Sequence, residues 1–204
     1  MLVGLTGQIG SGKSTVLKIF KELGAITVSA DQLAHEALEQ PAIKQAILSA
    51  AGNDLLDRDG AINREALAEV IFASEDKRKR VEEIIHPYVF RQIEKVAKRY
   101  SAMPDKIIVA EIPLLFESGY QDQVDLTITV TCPEEKIFER IAARGMTLSQ
   151  FEARARCQLS QSDKAARADY CIDNCGSLEE LREKVEKVWK SLLQQKRDDS
   201  SHQS

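Results

Sequence analysis

Two kinds of hydrophobic patterning alternate along the chain. Short apolar runs occur as LVGLT at 2–6, ITVS at 26–29, KIIVAEI at 106–112, VDLTITVT at 124–131 and DYCID at 169–173. They are rich in Val, Ile and Thr, residues that suit a pleated, packed surface. Several are apolar on consecutive positions, as strands covered on both faces require. Between them lie longer stretches whose apolar residues recur at helical spacing. This rhythm predicts an α/β fold in which a parallel sheet is wrapped by crossover helices.

The connections differ greatly in length. A short helix over about Ser14 to Leu23 joins the first two strands, with Gly24 as a left-handed cap. The second and third strands are separated by Asp31 to Asp105, far more chain than a crossover needs, so 31–104 reads as an inserted helical subdomain. Within it, His86-Pro87 interrupts a helical stretch, and Pro87 is expected to begin a new helix. The run KRKR at 77–80 lies among Glu75, Asp76, Glu82 and Glu83 and reads as a solvated face. A second helical insertion, 134–167, carries Arg140, Arg144, Arg154, Arg156 and Arg167. The last helix, about Ser177 to Gln194, turns Leu178, Leu181, Val185, Val188 and Trp189 toward the core. The polar tail from Leu193 onward, 195–204 above all, is expected to fray. The core is then 1–30, 105–133 and 168–194 of a single domain spanning 1–204.

Composition narrows the function. With 204 residues, 43% hydrophobic and 29% charged, the chain is of ordinary globular type. A net charge of -4 gives no reason to expect bulk nucleic-acid binding or a polybasic membrane contact. Apolar runs are too short to span a bilayer and MLVGLTG lacks a signal-peptide pattern, so a cytoplasmic location is expected. Cys132, Cys157, Cys171 and Cys175 form no C-x-x-C pair and read as reduced packing thiols.

The clearest chemistry lies between the first strand and the first helix, where Gly7, Gly12, Lys13 and Ser14 fill the pattern G-x-x-x-x-G-K-[ST]. In such a loop the backbone N–H groups and helix N-terminus surround phosphates, the lysine adds a point charge, and the hydroxyl reaches Mg2+. Gly7, Gly10, Ser11, Gly12, Lys13, Ser14 and Thr15 are therefore candidate nucleotide-binding residues, which the family resemblance given below makes ATP-binding, with Ser14 as metal ligand. No N-K-x-D sequence reads guanine, the chain is small for a motor, and its two insertions sit where an acceptor pocket and a lid belong. A small-molecule kinase is the leading class, ahead of a nucleotide-dependent switch.

Asp31 stands just past the second strand, where open parallel sheets bind ligands, and could accept an acceptor hydroxyl's proton. It could equally serve the dipole of a helix capped by the S-x-x-Q pattern of Ser29 and Gln32. Arg140 and Arg144, four apart, could converge on phosphates or merely pair with Glu135 and Glu139 on a solvated face. Glu111 resembles an acidic strand end near magnesium, or else it only caps the next segment.

Taken together, VGLTGQIGSGKST, VSADQLAHEAL, GAINREALAEVIF, IIHPYVF, IPLLFESG and ARADYCIDN resemble, in order and over nearly the whole chain, the dephospho-CoA kinase family. The resemblance implies a five-stranded parallel sheet, a helical CoA-binding insertion, a lid, and transfer of phosphate from ATP to the ribose 3'-hydroxyl of dephospho-CoA with Mg2+. It places the catalytic aspartate at Asp31, the loop lysine at Lys13, a lid arginine at Arg140 and a threonine near the phosphates at Thr6. It puts Arg64, His86 and Leu114 near the acceptor and Asn174 near the adenine. The chain departs from the family at Ser29 and Gln8, where an Asp and a Gly are frequent. Another P-loop or nucleoside monophosphate kinase is the alternative, and a monomer or small homo-oligomer is expected.

Overall fold

The computed structural model describes residues 1–101, 103 and 106–201. Five strands, β1 (Leu2–Gly7), β2 (Ile26–Ser29), β3 (Ile108–Glu111), β4 (Leu126–Thr131) and β5 (Tyr170–Asp173), form one parallel sheet in the order β2-β3-β1-β4-β5. All five expected apolar runs are strands. β1 lies in the middle, and each of its six residues is buried, which is why its sequence is apolar without alternation.

The chain divides into two compact units, Met1–Ser29 with Val96–Ser204, and Ala30–Lys95. In the first, α1 (Lys13–Glu22) and α9 (Leu178–Ser201) bring Val16, Ile19, Phe20, Leu181, Val185 and Leu192 onto one cluster with Val3, Leu5, Val109, Ile128 and Val130. Burying a side chain of this size contributes roughly 1.5–3 kcal/mol. α1 ends as expected at Gly24 (φ 103): Ala25 N–H donates to Phe20 O and Gly24 N–H to Lys21 O, satisfying two terminal carbonyls. The same unit holds α6 (Glu134–Ala143), α7 (Leu148–Ala155) and α8 (Gln161–Arg167).

The second unit contains α2 (Ala30–Leu38), α3 (Pro41–Ala51), α4 (Arg64–Ala73) and most of α5 (Glu75–Tyr100). Ile47, Leu55, Ile62, Leu67 and Val81 form its own small core.

Four expectations are corrected. Leu178, expected to face the core, is 57% exposed, and Cys171, expected to be a packing thiol, is exposed. Pro87 does not begin a helix but lies inside α5. A proline removes one backbone bond, while Val81, Val89 and Ile93 are buried on either side of it and hold the helix together through that gap. The tail from Leu193 is helical as far as Ser201, where α9 ends, with Gln194 Nε2 donating to Asp198 Oδ1 at 3.0 Å and Lys196 bonding the Lys106 carbonyl; 202–204 lie outside the described residues. Polar composition alone did not foretell that anchor.

Candidate active site

β1 delivers the chain into the glycine-rich loop at the C-terminal edge of the sheet. Gly7 (φ 148) has no room for a side chain: a Cβ there would lie 2.5 Å from Val130 O and 2.8 Å from Ser11 Oγ. Gly12 (φ 100) is the N-cap of α1, and its Cβ would fall 2.1 Å from Asn174 Nδ2. Both positions need glycine on steric and on backbone grounds. The loop closes with Ser11 N–H on Gln8 O at 3.1 Å, and α1 starts with Val16 N–H on Gly12 O at 3.1 Å. Ser11 Oγ is buried and, among the described residues, has no hydrogen-bond partner.

Lys13, only 8% exposed, lays its ammonium across the loop and donates to Gln8 O at 3.0 Å. Ser14 Oγ donates to Glu111 Oε1 at 3.2 Å, joining the start of α1 to the end of β3. A hydroxyl and a carboxylate are hard oxygen donors, and Mg2+ takes such ligands few at a time with water and phosphate oxygens completing its shell. Ser14 and Glu111 therefore fit that ion.

The outer side of the loop is covered by the helices after β4. Ile9 packs with Ile137, Ile141 and Phe151, and its N–H donates to Gln158 Oε1 at 3.1 Å. Arg140 does not pair with the neighbouring glutamates. Its Nη1 donates to Gly10 O (3.3 Å), Ser11 O (3.1 Å) and Cys132 Sγ (3.2 Å), and its Nη2 to Asn174 O (3.5 Å). Asn174, buried, donates from Nδ2 to Ser11 O at 2.7 Å. Burial pushes the Cys132 thiol pKa up, against the opposing pull of Arg140 and Lys136. Arg144, by contrast, is exposed at the C-cap of α6, so the two arginines do not converge on one spot.

Thr6 is fully buried beneath the loop. Its Oγ1 donates to Pro113 O at 3.2 Å and accepts from Lys164 Nζ at 3.2 Å. Leu114 is half-buried, and its carbonyl accepts from Ser118 Oγ at 2.7 Å. Lys164, Glu117 and Gln158 were not singled out from sequence, and Cys132 was read only as a packing thiol. A lysine in SQSDKAAR reads as solvated, and its burial depends on a glutamate far away in the chain.

The remaining expected residues belong to the Ala30–Lys95 unit. Asp31 is the exposed second residue of α2, two positions past the end of β2. Arg64 is the first residue of α4, whose N-cap Asn63 accepts from Glu65 N–H and Ala66 N–H. Arg64 lines a cleft of about 510 Å³ together with His35, Lys44, Asp57 and Asp59. His86 is half-buried on α5, its ring 5.2 Å from that of Phe90, and burial lowers its pKa against the opposing charge of Glu82.

A family model described as dephospho-CoA kinase (CoaE) matches residues 1–180. The chain belongs to this family. Dephospho-CoA kinase of Aquifex aeolicus is 39% identical over 191 residues, covering 93% of this chain and 96% of that one. The Geobacter sulfurreducens enzyme is 40% identical over 192 residues, covering 92% and 96%. Among solved structures, TT1252 from Thermus thermophilus superposes with TM-score 0.79 at 32% identity over 96% of this chain and 97% of that one. Dephospho-CoA kinase from Campylobacter jejuni gives 0.69 at 30% over 95% and 97%. Shikimate kinase from Acinetobacter baumannii, at 15% identity and TM-score 0.50, shares the fold. Dephospho-CoA kinases are transferases that use ATP with Mg2+ for the final step of coenzyme A synthesis. Among the described residues no helix is long and apolar enough to cross a membrane.

Proposed function

We propose that the chain transfers the γ-phosphoryl group of ATP to the ribose 3'-hydroxyl of dephospho-CoA, with Asp31 as the base that takes the hydroxyl proton. The observation that carries this reading is the seating of Lys13, Ser14 and Glu111 around one loop in a chain of this family. The amides from Gly10 to Thr15 hold the phosphates, and Lys13 offsets charge on the oxygens as it spreads in the transition state. Mg2+, held by Ser14 and Glu111, would neutralise phosphate oxygens. Arg140 braces the loop from outside and adds positive potential, while Asn174 beside it borders the adenine. Thr6 supports the loop from below rather than touching phosphate, in keeping with its buried hydrogen bonds.

The unit Ala30–Lys95 serves as the acceptor-binding insertion. Arg64 and Lys44 in its cleft suit the diphosphate of dephospho-CoA, since a guanidinium engages phosphate oxygens in pairs. His86 and Leu114 complete the acceptor side, and helices α6 to α8 form the lid that excludes water. Four free thiols suit the reducing cytoplasm, where we place the enzyme as a monomer or small homo-oligomer.

The deciding experiment measures ADP release with dephospho-CoA, with AMP and with no acceptor. Formation of ADP that depends on dephospho-CoA supports the reading; turnover only with AMP, or equally without acceptor, overturns it. Asp31→Asn should lower kcat by about a hundredfold or more while ATP affinity stays within about threefold. Unchanged turnover would remove Asp31 as the base.

A further inference from the structure

Lys164 takes no part in the reaction described above, yet its side chain is completely buried. An ammonium taken out of water is costly, and a well-packed apolar side chain of similar size would fill the space with less penalty. Burial accordingly pulls its pKa down, and the neighbouring Glu117 pulls it back up. The charge is retained at a place where packing alone did not call for it.

Its three N–H bonds are all spent. Nζ donates to Pro113 O at 2.7 Å, to Thr6 Oγ1 at 3.2 Å and to Glu117, whose nearer oxygen Oε1 lies 2.9 Å away. Glu117 Oε1 also accepts the Leu159 N–H at 2.7 Å. One ammonium thus joins the end of β1, the segment following β3 and helix α8, and its counter-ion adds the linker between α7 and α8. The charge also sets direction. Because an ammonium can only donate, Thr6 Oγ1 accepts from it, and the hydrogen of that hydroxyl goes to Pro113 O at 3.2 Å.

The joined segments lead straight to the reacting groups. Thr6 precedes Gly7, the first residue of the phosphate loop, and Pro113 stands two residues beyond Glu111 and one before Leu114. We propose that Lys164 is a positioning residue for phosphoryl transfer: with Glu117 it fixes the Glu111–Glu117 segment against the end of β1, so that the Glu111 carboxylate meets the Ser14 hydroxyl at the magnesium position. The inference rests on the reading of Ser14 and Glu111 given under the proposed function. A pair that served stability alone could be replaced as a unit by apolar side chains without changing the chemistry.

The test uses the full chain carrying Lys164→Met and, separately, Lys164→Met with Glu117→Met. Thermal unfolding, kcat with dephospho-CoA, affinity for a fluorescent ATP analogue without metal, and the free Mg2+ giving half-maximal rate are measured for each. The single variant should lose stability and the double variant should regain it, because no charge is then left buried alone. Both should keep metal-free nucleotide affinity within about threefold, lose about tenfold or more in kcat, and need about tenfold more Mg2+. If the double variant recovers kcat and Mg2+ dependence along with its stability, the positioning role is overturned. Should neither fold, Glu117→Gln keeps the side-chain shape and can still accept from Leu159. A raised Mg2+ requirement there supports the proposal, and a wild-type requirement refutes it. The wild-type chain is the control: no turnover of dephospho-CoA by it would overturn the function itself, whereas normal turnover by the double variant overturns only the role of Lys164.

Discussion

At Gly12 the backbone and its neighbours leave no freedom of choice. The Ser11 carbonyl is engaged from outside by Arg140 and Asn174, and in a trans peptide the N–H of the following residue points the opposite way, into the loop. Two polar side chains from distant parts of the sequence thereby turn a backbone amide into the loop, where the proposed reading puts the phosphates. Gly12→Ala would place a methyl 2.1 Å from Asn174 Nδ2 at a φ of 100, so Asn174 would have to leave and the backbone would have to strain. ATP affinity should fall by about tenfold or more, which is roughly the loss of one charge-assisted hydrogen bond together with loop geometry. Calorimetric titration of the nucleotide would check this, and an unchanged affinity would mean that the Asn174 contact does not shape the loop.

Helix α5 shows what a proline does when the surrounding faces are well packed. Pro87 is exposed inside a helix of 26 residues, where its ring removes an N–H that would otherwise bond. Pro87→Ala should therefore stabilise the protein by about 1–3 kcal/mol, seen as a higher thermal midpoint, with kcat unaffected. A lower midpoint would mean that the bend-prone site is needed as it stands. The same helix marks a boundary of what the chain discloses. Strands were legible because each is a short run rich in apolar and β-branched residues, and the loop was legible because its residue spacing has one mechanical use. The continuity of α5 was not, since His86-Pro87 carries a local stop signal that burial of Val81, Val89 and Ile93 overrides. Nor was the last stretch of α9 legible, where a contact from Lys196 to Lys106 holds a polar segment in place. The burial of Lys164 was hidden for the same reason: charged pairs separated by long loops leave no periodicity behind them.

Over the molecule as a whole, the sheet gathers its useful ends on one edge: Gly7, Ser29, Glu111, Thr131 and Asp173 each finish a strand, and Asn174 follows the last. Stability over pH reflects the whole chain, and His86 gives one component a definite sign. Its folded pKa lies below the ordinary histidine value because burial opposes the charged form, with Glu82 resisting. The unfolded chain then takes up a proton first as pH falls, so this stabilisation is complete above about 6.5 and is lost progressively below it. Urea midpoints at neutral and mildly acidic pH should converge more closely for His86→Gln than for the wild type; equal acid sensitivity of the two proteins would exclude His86 as a contributor.

The outer wall of the phosphate loop has an evolutionary consequence. A Cβ on Gly10 would come within 2.9 Å of Ile137 and 3.3 Å of Ile141, so the loop and α6 share one mould. Swapping in the nucleotide loop of a distant cousin without its matching helix should produce a misfit chimera, and drift at any one of these three positions is chained to the other two.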